Sequence, residues 1–337
     1  MFQQKVMKSL PNISVVMCTY NGEKYLSEQL DSILGQSLPP YEVIVQDDGS
    51  SDHTWTILQS YASRFPVVKL FRNEAEHGIN GNFFSAMRRA SGHLLAVSDQ
   101  DDVWHPDKLK EQAAAIGNKL MCICRSEPFC QQGKERKLLP YDRRRPSCNL
   151  VRMLYTGFSG HCLLFRRQLL DLVPPSGPIY RQTWYDVILS QTAAAYDSVV
   201  LLDKQLALWR RYDEAASFKP RDDRQQRGMA NALYMLRFGW THWHEVKPVM
   251  CRHFRLRQEF LKSVHPTPSP AIYRDAVKLL GYESDSRWWK VFSLMRLYLK
   301  YRHQMFYSYE KDPVAMVRAL LQPWMQIYLY YQRYMTH

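Results

Sequence analysis

The 337-residue chain is poor in glycine, with 14 residues, and carries neither of the familiar glycine-rich phosphate loops. No Gly-x-Gly-x-x-Gly follows the first predicted strand and no Gly-x-x-x-x-Gly-Lys-[Ser/Thr] occurs anywhere, which excludes a dinucleotide fingerprint and a P-loop. Cys-x-x-Cys is absent as well, and the seven cysteines (Cys18, Cys122, Cys124, Cys130, Cys148, Cys162 and Cys251) are odd in number. Cys122, Cys124 and Cys130 lack a His-rich partner stretch, so we read all seven as reduced thiols of a cytosolic chain rather than as a metal site or a disulfide framework. No run of 18 apolar residues is present, so no helix is expected to cross a membrane. Met1 to Leu10 lacks the apolar stretch of a signal peptide. No RNP, helix-turn-helix or zinc-finger spacing occurs, and no nucleic-acid partner is expected.

What is present is a globular composition, 46% hydrophobic, with a formal net charge of +13. That charge favours an anionic partner. It is concentrated late: from Arg221 onward there are 19 Lys and Arg against 9 Asp and Glu, while residues 1–220 are nearly balanced. The basic surface and the acidic chemistry are therefore expected in different places.

The first hundred residues alternate between two periods. Ile13 to Met17 is β-branched and bounded by turn residues, then Tyr25, Leu26, Leu30, Ile33 and Leu34 fall at helical spacing. Tyr41 to Val45 predicts a second strand, followed by a helix over Trp55, Ile57, Leu58 and Tyr61 that Ser51 or Asp52 would cap. Pro66 to Phe71 predicts a third strand, His77 to Gly81 a turn, Phe83 to Ala90 a helix, and Leu94 to Val97 a fourth strand. Strand and helix in alternation imply a parallel sheet covered on both faces, with ligands bound outside the carboxyl ends of the strands. Those ends are polar: Thr19-Tyr20-Asn21, Asp47-Asp48-Gly49-Ser50, and Asp99-Gln100-Asp101-Asp102.

The last of these places three carboxylates within four residues. Carboxylates so close repel one another, and a hard divalent ion such as Mg²⁺ or Mn²⁺, shared with a diphosphate, would relieve them. The competing reading is an acidic surface turn with Asp107 capping the following helix.

Together the three motifs, in this order and with Val103-Trp104 and Pro106-Asp107-Lys108 after the last, resemble family 2 glycosyltransferases of the GT-A fold. The resemblance covers about residues 12–217 and points to the bacterial branch of rhamnosyltransferase-like members. It implies a Rossmann-like mixed sheet flanked by helices, an inverting sugar transfer from a nucleotide-diphosphate donor, and a divalent metal. Thr19, Tyr20 and Asn21 would line the nucleotide pocket, with Tyr20 against the base. One of Asp47 and Asp48 would accept the base N–H, with Gly49 shaping the turn. Asn73, Gly78 and Asn82 would belong to a polar loop over the nucleotide. Asp99 would sit near ribose and diphosphate and, with Asp101, hold the metal; Asp102 would hold the turn or face the acceptor.

Further on, the resemblance makes Asp186, in Thr183-Trp184-Tyr185-Asp186, the general base, with Trp184 and Tyr185 offering flat faces to sugar rings. A helix N-cap role is the structural alternative for Asp186. His161, in a Gly-bearing strand, would touch sugar or diphosphate or be a buried structural histidine. Trp209-Arg210-Arg211-Tyr212 falls where the family carries Tyr-Arg-x-His-Gly-x-Asn. Arg210 is kept for the diphosphate, but Trp209 replaces Tyr, Tyr212 replaces His, and Asp213-Glu214 replaces the turn, which puts the donor identity in question. Met121 to Arg125 and Val199 to Asp203 read as strands, Gln131 to Glu135 as a hairpin turn and Arg143-Arg144-Arg145 as a solvated loop.

Beyond Pro220 the chain becomes aromatic and basic. Trp288, Trp289, Phe292, Met295 and Leu299 fall at helical spacing among Arg287, Lys290, Arg296, Lys300 and Arg302, and Pro313 to Tyr334 holds a second aromatic-rich helix. Pro266 to Pro270 reads as a hinge. Such helices suit an anionic membrane surface; a helical cap on the sheet, or an oligomer contact, is the alternative. The expected organisation is a GT-A domain over 1–217 and an α-helical region over 218–337. The expected acceptor is a surface polysaccharide or lipid-linked glycan at the inner face of the cytoplasmic membrane. A non-catalytic nucleotide-sugar or glycan-binding protein of the same fold is the rival reading.

Overall fold

The computed structural model describes residues 11–74, 77–130, 147–175, 177–212, 229–306 and 312–335. Eight strands form one mixed sheet: β1 (Ile13–Thr19), β2 (Glu42–Asp47), β3 (Val68–Arg72), β4 (Leu94–Ser98), β5 (Val103–Trp104), β6 (Met121–Phe129), β7 (Leu163–Arg166) and β8 (Val199–Arg210). Their order is β3-β2-β1-β4-β7-β6-β8-β5. The first four pair in parallel, with Thr19 opposite Asp47, Asp47 opposite Arg72 and Met17 opposite Ser98. This register sets the polar ends of β1, β2 and β4 side by side. β7 runs antiparallel to both β4 and β6, so the fourth strand is where the sheet turns from parallel to mixed.

The helices are α1 (Leu26–Leu34), α2 (Thr54–Arg64), α3 (Ile79–Arg89), α4 (Lys108–Ala115), α5 (Leu150–Met153), α6 (Leu169–Leu172), α7 (Tyr185–Ala195), α8 (Met229–Thr241), α9 (Trp243–Ser263), α10 (Ala271–Glu283), α11 (Lys290–Lys300), α12 (Arg302–Met305) and α13 (Asp312–Tyr334). Every residue of β1 and β2 is buried, as a central parallel strand covered on both faces requires. One core cluster joins Val15 and Met17 of β1 and Val43 and Val45 of β2 to Leu26, Leu30 and Ile33 of α1 and Leu58 of α2.

Several elements depart from the sequence expectation. The helix expected from Phe83 begins at Ile79, because Gly78 at φ 95° turns the chain and its N–H is taken by the Asp48 carboxylate at 2.7 Å. β8 runs on past Asp203 to Arg210, pairing with a β6 that likewise continues to Phe129 through register shifts. His53, not Ser51 or Asp52, is the residue before α2, although Asp52 Oδ1 accepts the Thr54 N–H at 3.0 Å. Asp107 precedes α4 without capping it; its side chain accepts from Ser37 Oγ at 2.6 Å.

The chain forms two compact units that interleave along the sequence. One holds Met1–Leu139, Phe158–Leu172 and Val199–Arg211; the other holds Pro140–Gly157, Val173–Ser198 and Tyr212–His337. The chain thus does not divide once near residue 217: α5 and α7 group with the C-terminal helices. In that second unit Glu283, fully buried, accepts from Lys247 Nζ at 3.1 Å and from Tyr298 Oη at 2.5 Å, and Tyr155 Oη lies 2.9 Å from Tyr298 Oη. The Gln191 side chain of α7 donates to Met153 O of α5 at 3.0 Å.

Candidate functional site

The crevice is built from the ends of β1, β2 and β4 upward. Thr19 Oγ1 donates to Asp47 Oδ1 at 2.9 Å, across the β1–β2 pair. Asp47 also accepts from Gly49 N, Ser50 N, Ser50 Oγ and Arg72 Nη1, and is completely buried. Five donors exhaust what a carboxylate can accept, so Asp47 shapes the turn. Gly49, at φ 85°, adopts a conformation that a side chain would strain.

Asp48 is different. It accepts from Asn73 Nδ2 at 2.7 Å, contacts His77 Nδ1 at 2.9 Å and takes the Gly78 N–H, yet its side chain keeps 12% of its exposure. Asn21, at φ 47°, donates its N–H to Ser50 Oγ and accepts from Ser51 N at 2.9 Å, tying the two strand ends together. Tyr20 beside it is 60% exposed. Asn82, expected over the nucleotide, is instead buried in α3, where its amide pairs with that of Gln46 at 3.0 Å.

The acidic turn after β4 is held from three sides. Gln100 Oε1 accepts the Tyr20 N–H at 2.9 Å and Gln100 Nε2 donates to Tyr20 O at 3.0 Å. Gly22 leaves room for that amide: a Cβ there would lie 2.3 Å from Gln100 Oε1. Arg210, 4% exposed, donates its backbone N–H to Asp102 Oδ1 at 3.1 Å, its Nε to Asp101 O at 2.8 Å and its Nη2 to Glu28. Its guanidinium also lies between the rings of Tyr25 and Phe129, 4.3 and 4.5 Å from their centroids. Arg210 is therefore committed to the turn rather than presented to a diphosphate.

His161 closes the third side. Its Nδ1 lies 3.3 Å from Asp99 Oδ2 and 2.9 Å from Asp102 Oδ2, the latter an ionic approach out of line for a hydrogen bond. Burial disfavours its charged form, but Cys162, Asp102 and Asp99 hold its pKa well above the ordinary value. Burial pushes the Asp99 carboxyl up, opposed by the His161 hydrogen bond and reinforced by Asp102. Asp102 and His161 are each 1% exposed, and Asp102 Oδ2 and His161 Nε2 are buried without a hydrogen bond. Asp99, Asp102 and His161 form a group whose ligand atoms all lie within 4.8 Å of one another, which fits a divalent cation. The fit is chemical as well: octahedral ligands at about 2.1 Å stand roughly 3 Å from their cis neighbours, and carboxylate with imidazole suits Mg²⁺ or Mn²⁺. Asp101, expected as a ligand, is half-buried on the same turn and outside that group. Beneath the turn lies Lys108, fully buried, 4.0 Å from the Trp104 ring centroid and donating to Gln112 Oε1 at 2.8 Å; burial pushes its pKa down.

In the second unit, Trp184 is the residue before α7 and is exposed, whereas Tyr185 is buried. Asp186 stands in the first turn, with Oδ1 2.7 Å from the Val187 N–H, and the helix has no side-chain cap. Tyr212 is half-buried directly before residues 213–228, which lie outside the described residues with the Asp213-Glu214 turn. Arg143 to Arg145 and the hairpin expected at Gln131 to Glu135 lie outside them too. Sequence reasoning missed Gln100, Glu28, Arg72 and the carboxylate contacts of His161. The Asp-Gln-Asp-Asp motif contained Gln100 but gave no sign of its partner.

A mixed sheet with a polar crevice at its parallel strand ends and an acidic turn after the fourth strand is the architecture of the GT-A fold. Residues 14–173 match the model of Glycosyl transferase family 2. It is 26% identical over 208 residues to an uncharacterized glycosyltransferase of Nostoc sp., covering 59% of this chain and 64% of that one. It is also 38% identical over 105 residues to the Escherichia coli UDP-Glc:alpha-D-GlcNAc-diphosphoundecaprenol beta-1,3-glucosyltransferase, covering 31% of this chain and 40% of that one. The chain thus spans less than two thirds of the length of these relatives. Among solved structures, S. aureus TarS residues 1–349 superposes with a TM-score of 0.52 at 18% identity, covering 96% of this chain and 91% of that one.

Proposed function

We propose that the protein is an inverting, metal-dependent hexosyltransferase that uses a nucleotide-diphosphate sugar. The observation that carries the reading is the juxtaposition of Thr19, Asp47 and the turn after Ser98 on adjacent parallel strands, with Tyr20 exposed beside them. In this reading Tyr20 packs against the base and Asp48, the more exposed of the pair, accepts its N–H. The carboxylates of the turn, Asp99 and Asp101 with Asp102 and His161 beneath, would hold Mg²⁺ or Mn²⁺. Such an ion neutralises the diphosphate leaving group. Gln100 and Arg210 keep the turn in place.

Asp186 acts as general base. It takes the proton from an acceptor hydroxyl while that oxygen attacks the anomeric carbon from the side opposite the diphosphate. The bond from that carbon to the diphosphate oxygen breaks, and one displacement inverts the centre. Exposed Trp184 offers a face to the acceptor sugar. Rhamnose is the first candidate for the sugar, on the strength of the Asp-Gln-Asp-Asp-aromatic motif. A lipid-linked glycan is the candidate acceptor, supported by the undecaprenol-linked substrate in the name of the E. coli relative.

A thermal-shift panel of nucleotide sugars with and without Mn²⁺ identifies the donor. Asp186→Asn should then bind that donor but release no nucleoside diphosphate in the presence of acceptor extract. Release at the wild-type rate removes Asp186 as base. Donor binding by the wild type without release in any extract favours the binding-protein reading, and release of pyrophosphate would indicate nucleotidyl transfer instead.

A further inference from the structure

In the second unit, helices bury the wrong residues for an aqueous surface. A helix facing water puts its large apolar side chains inward and polar ones outward. In its first half α13 turns only small side chains inward and leaves its larger apolar ones outside. It buries Ala315 and Ala319 and exposes Val314, Met316, Val317 (54%) and Leu320. Its neighbour α8 lies close against it: a Cβ on Gly239 would come within 2.1 Å of Trp324 O, and the Phe238 and Tyr328 ring centroids are 5.3 Å apart. On α8 the inward residues are Met235 and Gly239, while Leu233, Tyr234 and Trp240 (74%) are exposed. Isolated exposed apolar residues need no explanation, but several on each of two packed helices mark an interaction site.

Charge selects the occupant. The segment from Arg221 onward has 19 Lys and Arg against 9 Asp and Glu, and Arg237 of α8 and Arg318 of α13 are exposed alongside these apolar residues. A second copy would bring two such positive surfaces together. An anionic surface is attracted instead, and the mixture of Trp, Tyr and aliphatic side chains with Arg suits the boundary between headgroups and acyl chains. Among the described residues no helix is long and apolar enough to cross a bilayer, so contact from one side is what these helices can make.

We infer that the outward faces of α8 and α13 rest on the surface of a bilayer containing anionic lipid. This deepens the proposed function by naming the surface on which a transferase with a lipid-linked acceptor would work, although the packing argument does not depend on catalysis.

The test uses the full chain and two kinds of vesicle, phosphatidylcholine alone and phosphatidylcholine with phosphatidylglycerol. The wild type should co-sediment with the anionic vesicles, weakly with the neutral ones, and less as salt rises. The double variant Val317→Asp/Leu320→Asp should lose about tenfold or more in partitioning, and Trp240→Ser should lose a smaller part. Both should keep the wild-type circular dichroism and nucleotide-induced thermal shift. Equal sedimentation of the double variant and wild type overturns the inference, as does equal binding to both vesicle types. If the wild type ignores vesicles and is a dimer by light scattering that the double variant breaks, the occupant is a second copy and the inference fails. Absence of a nucleotide-induced shift in the wild type would count against the transferase reading alone, because the sedimentation result stands without it.

Discussion

The side-chain amide of Gln100 makes two hydrogen bonds to the backbone of Tyr20, accepting its N–H at 2.9 Å and donating to its carbonyl at 3.0 Å. The contact spans 80 residues of sequence and ties the residue after β1 to the turn after β4. It fixes the exposed Tyr20 ring relative to the acidic turn. Gln100→Ala removes both bonds, worth about 1–3 kcal/mol together. We expect donor affinity to fall roughly tenfold in calorimetric titration, with Tm lowered by a few degrees. An unchanged affinity would show that Tyr20 is placed by something else.

Arg210 and the turn form one mechanical unit. Arg210→Lys keeps a positive charge but loses the fork that reaches Asp101 O and Glu28 at once. The expected result is a Mn²⁺ affinity lowered on the order of tenfold, the usual effect of removing a support behind a ligand. The measurement is a Mn²⁺ titration followed by electron paramagnetic resonance, which reads the ion without requiring turnover.

His161→Gln should weaken Mn²⁺ binding by about 10- to 100-fold, because the imidazole approaches both Asp99 and Asp102 and no other described His joins that group. The same titration decides it. Wild-type affinity in His161→Gln, with loss in Asp101→Asn, would move the ion away from the buried histidine and onto Asp101.

At the opposite end of the sheet, Glu42 accepts from Ser14 Oγ, Ser91 N, Ser91 Oγ and Lys69 Nζ. Burial alone would raise its pKa, but these donors outweigh burial and hold it down at about 2. A lowered folded-state pKa contributes stability that is present above the unfolded value and lost as the pH falls through the folded one. The window is therefore about pH 4.5 down to about 2, and the contribution is on the order of 3 kcal/mol. Glu42→Gln should lower the neutral-pH stability and flatten the acid limb of urea unfolding while leaving nucleotide binding intact.

Glu283 and Lys247 are buried together, and removing one leaves the other uncompensated. Glu283→Ala should cost about 3–5 kcal/mol in chemical denaturation, whereas the double change Glu283→Leu/Lys247→Met should recover much of the loss. Equal instability of both variants would mean that packing around Tyr155 and Tyr298, not charge, dominates the hub.

How much of this was legible in the sequence depends on the range of each interaction. β1, β2 and β4 were readable because short β-branched or apolar runs end abruptly in polar residues, and those ends became the crevice. The start of α3 was hidden because Gly78, Asn80 and Gly81 look like turn residues, while the Asp48 carboxylate that receives the Gly78 N–H lies 30 residues earlier. Asp203-Lys204-Gln205 resembled the end of a strand, yet the backbone pairing with β6 carries β8 through it. The partners of the acidic turn were the least visible: Glu28 meets Arg210 across 182 residues and His161 meets Asp99 across 62, distances over which periodicity says nothing.

The interleaving of the two units has a consequence for the order in which the protein can be made. β1 to β4 and the acidic turn leave the ribosome early, so their strand ends can assemble while the chain is still short. α7, which carries Asp186, emerges before α9 and α10, yet it packs on α5 and α9, and α5 in turn packs on α10. α5 also packs on α12 and donates from Arg152 to Met305 O, so the support of α7 is complete only after residue 305 has been synthesised. The strand ends of the first unit can thus come together during translation before α7 has its final footing.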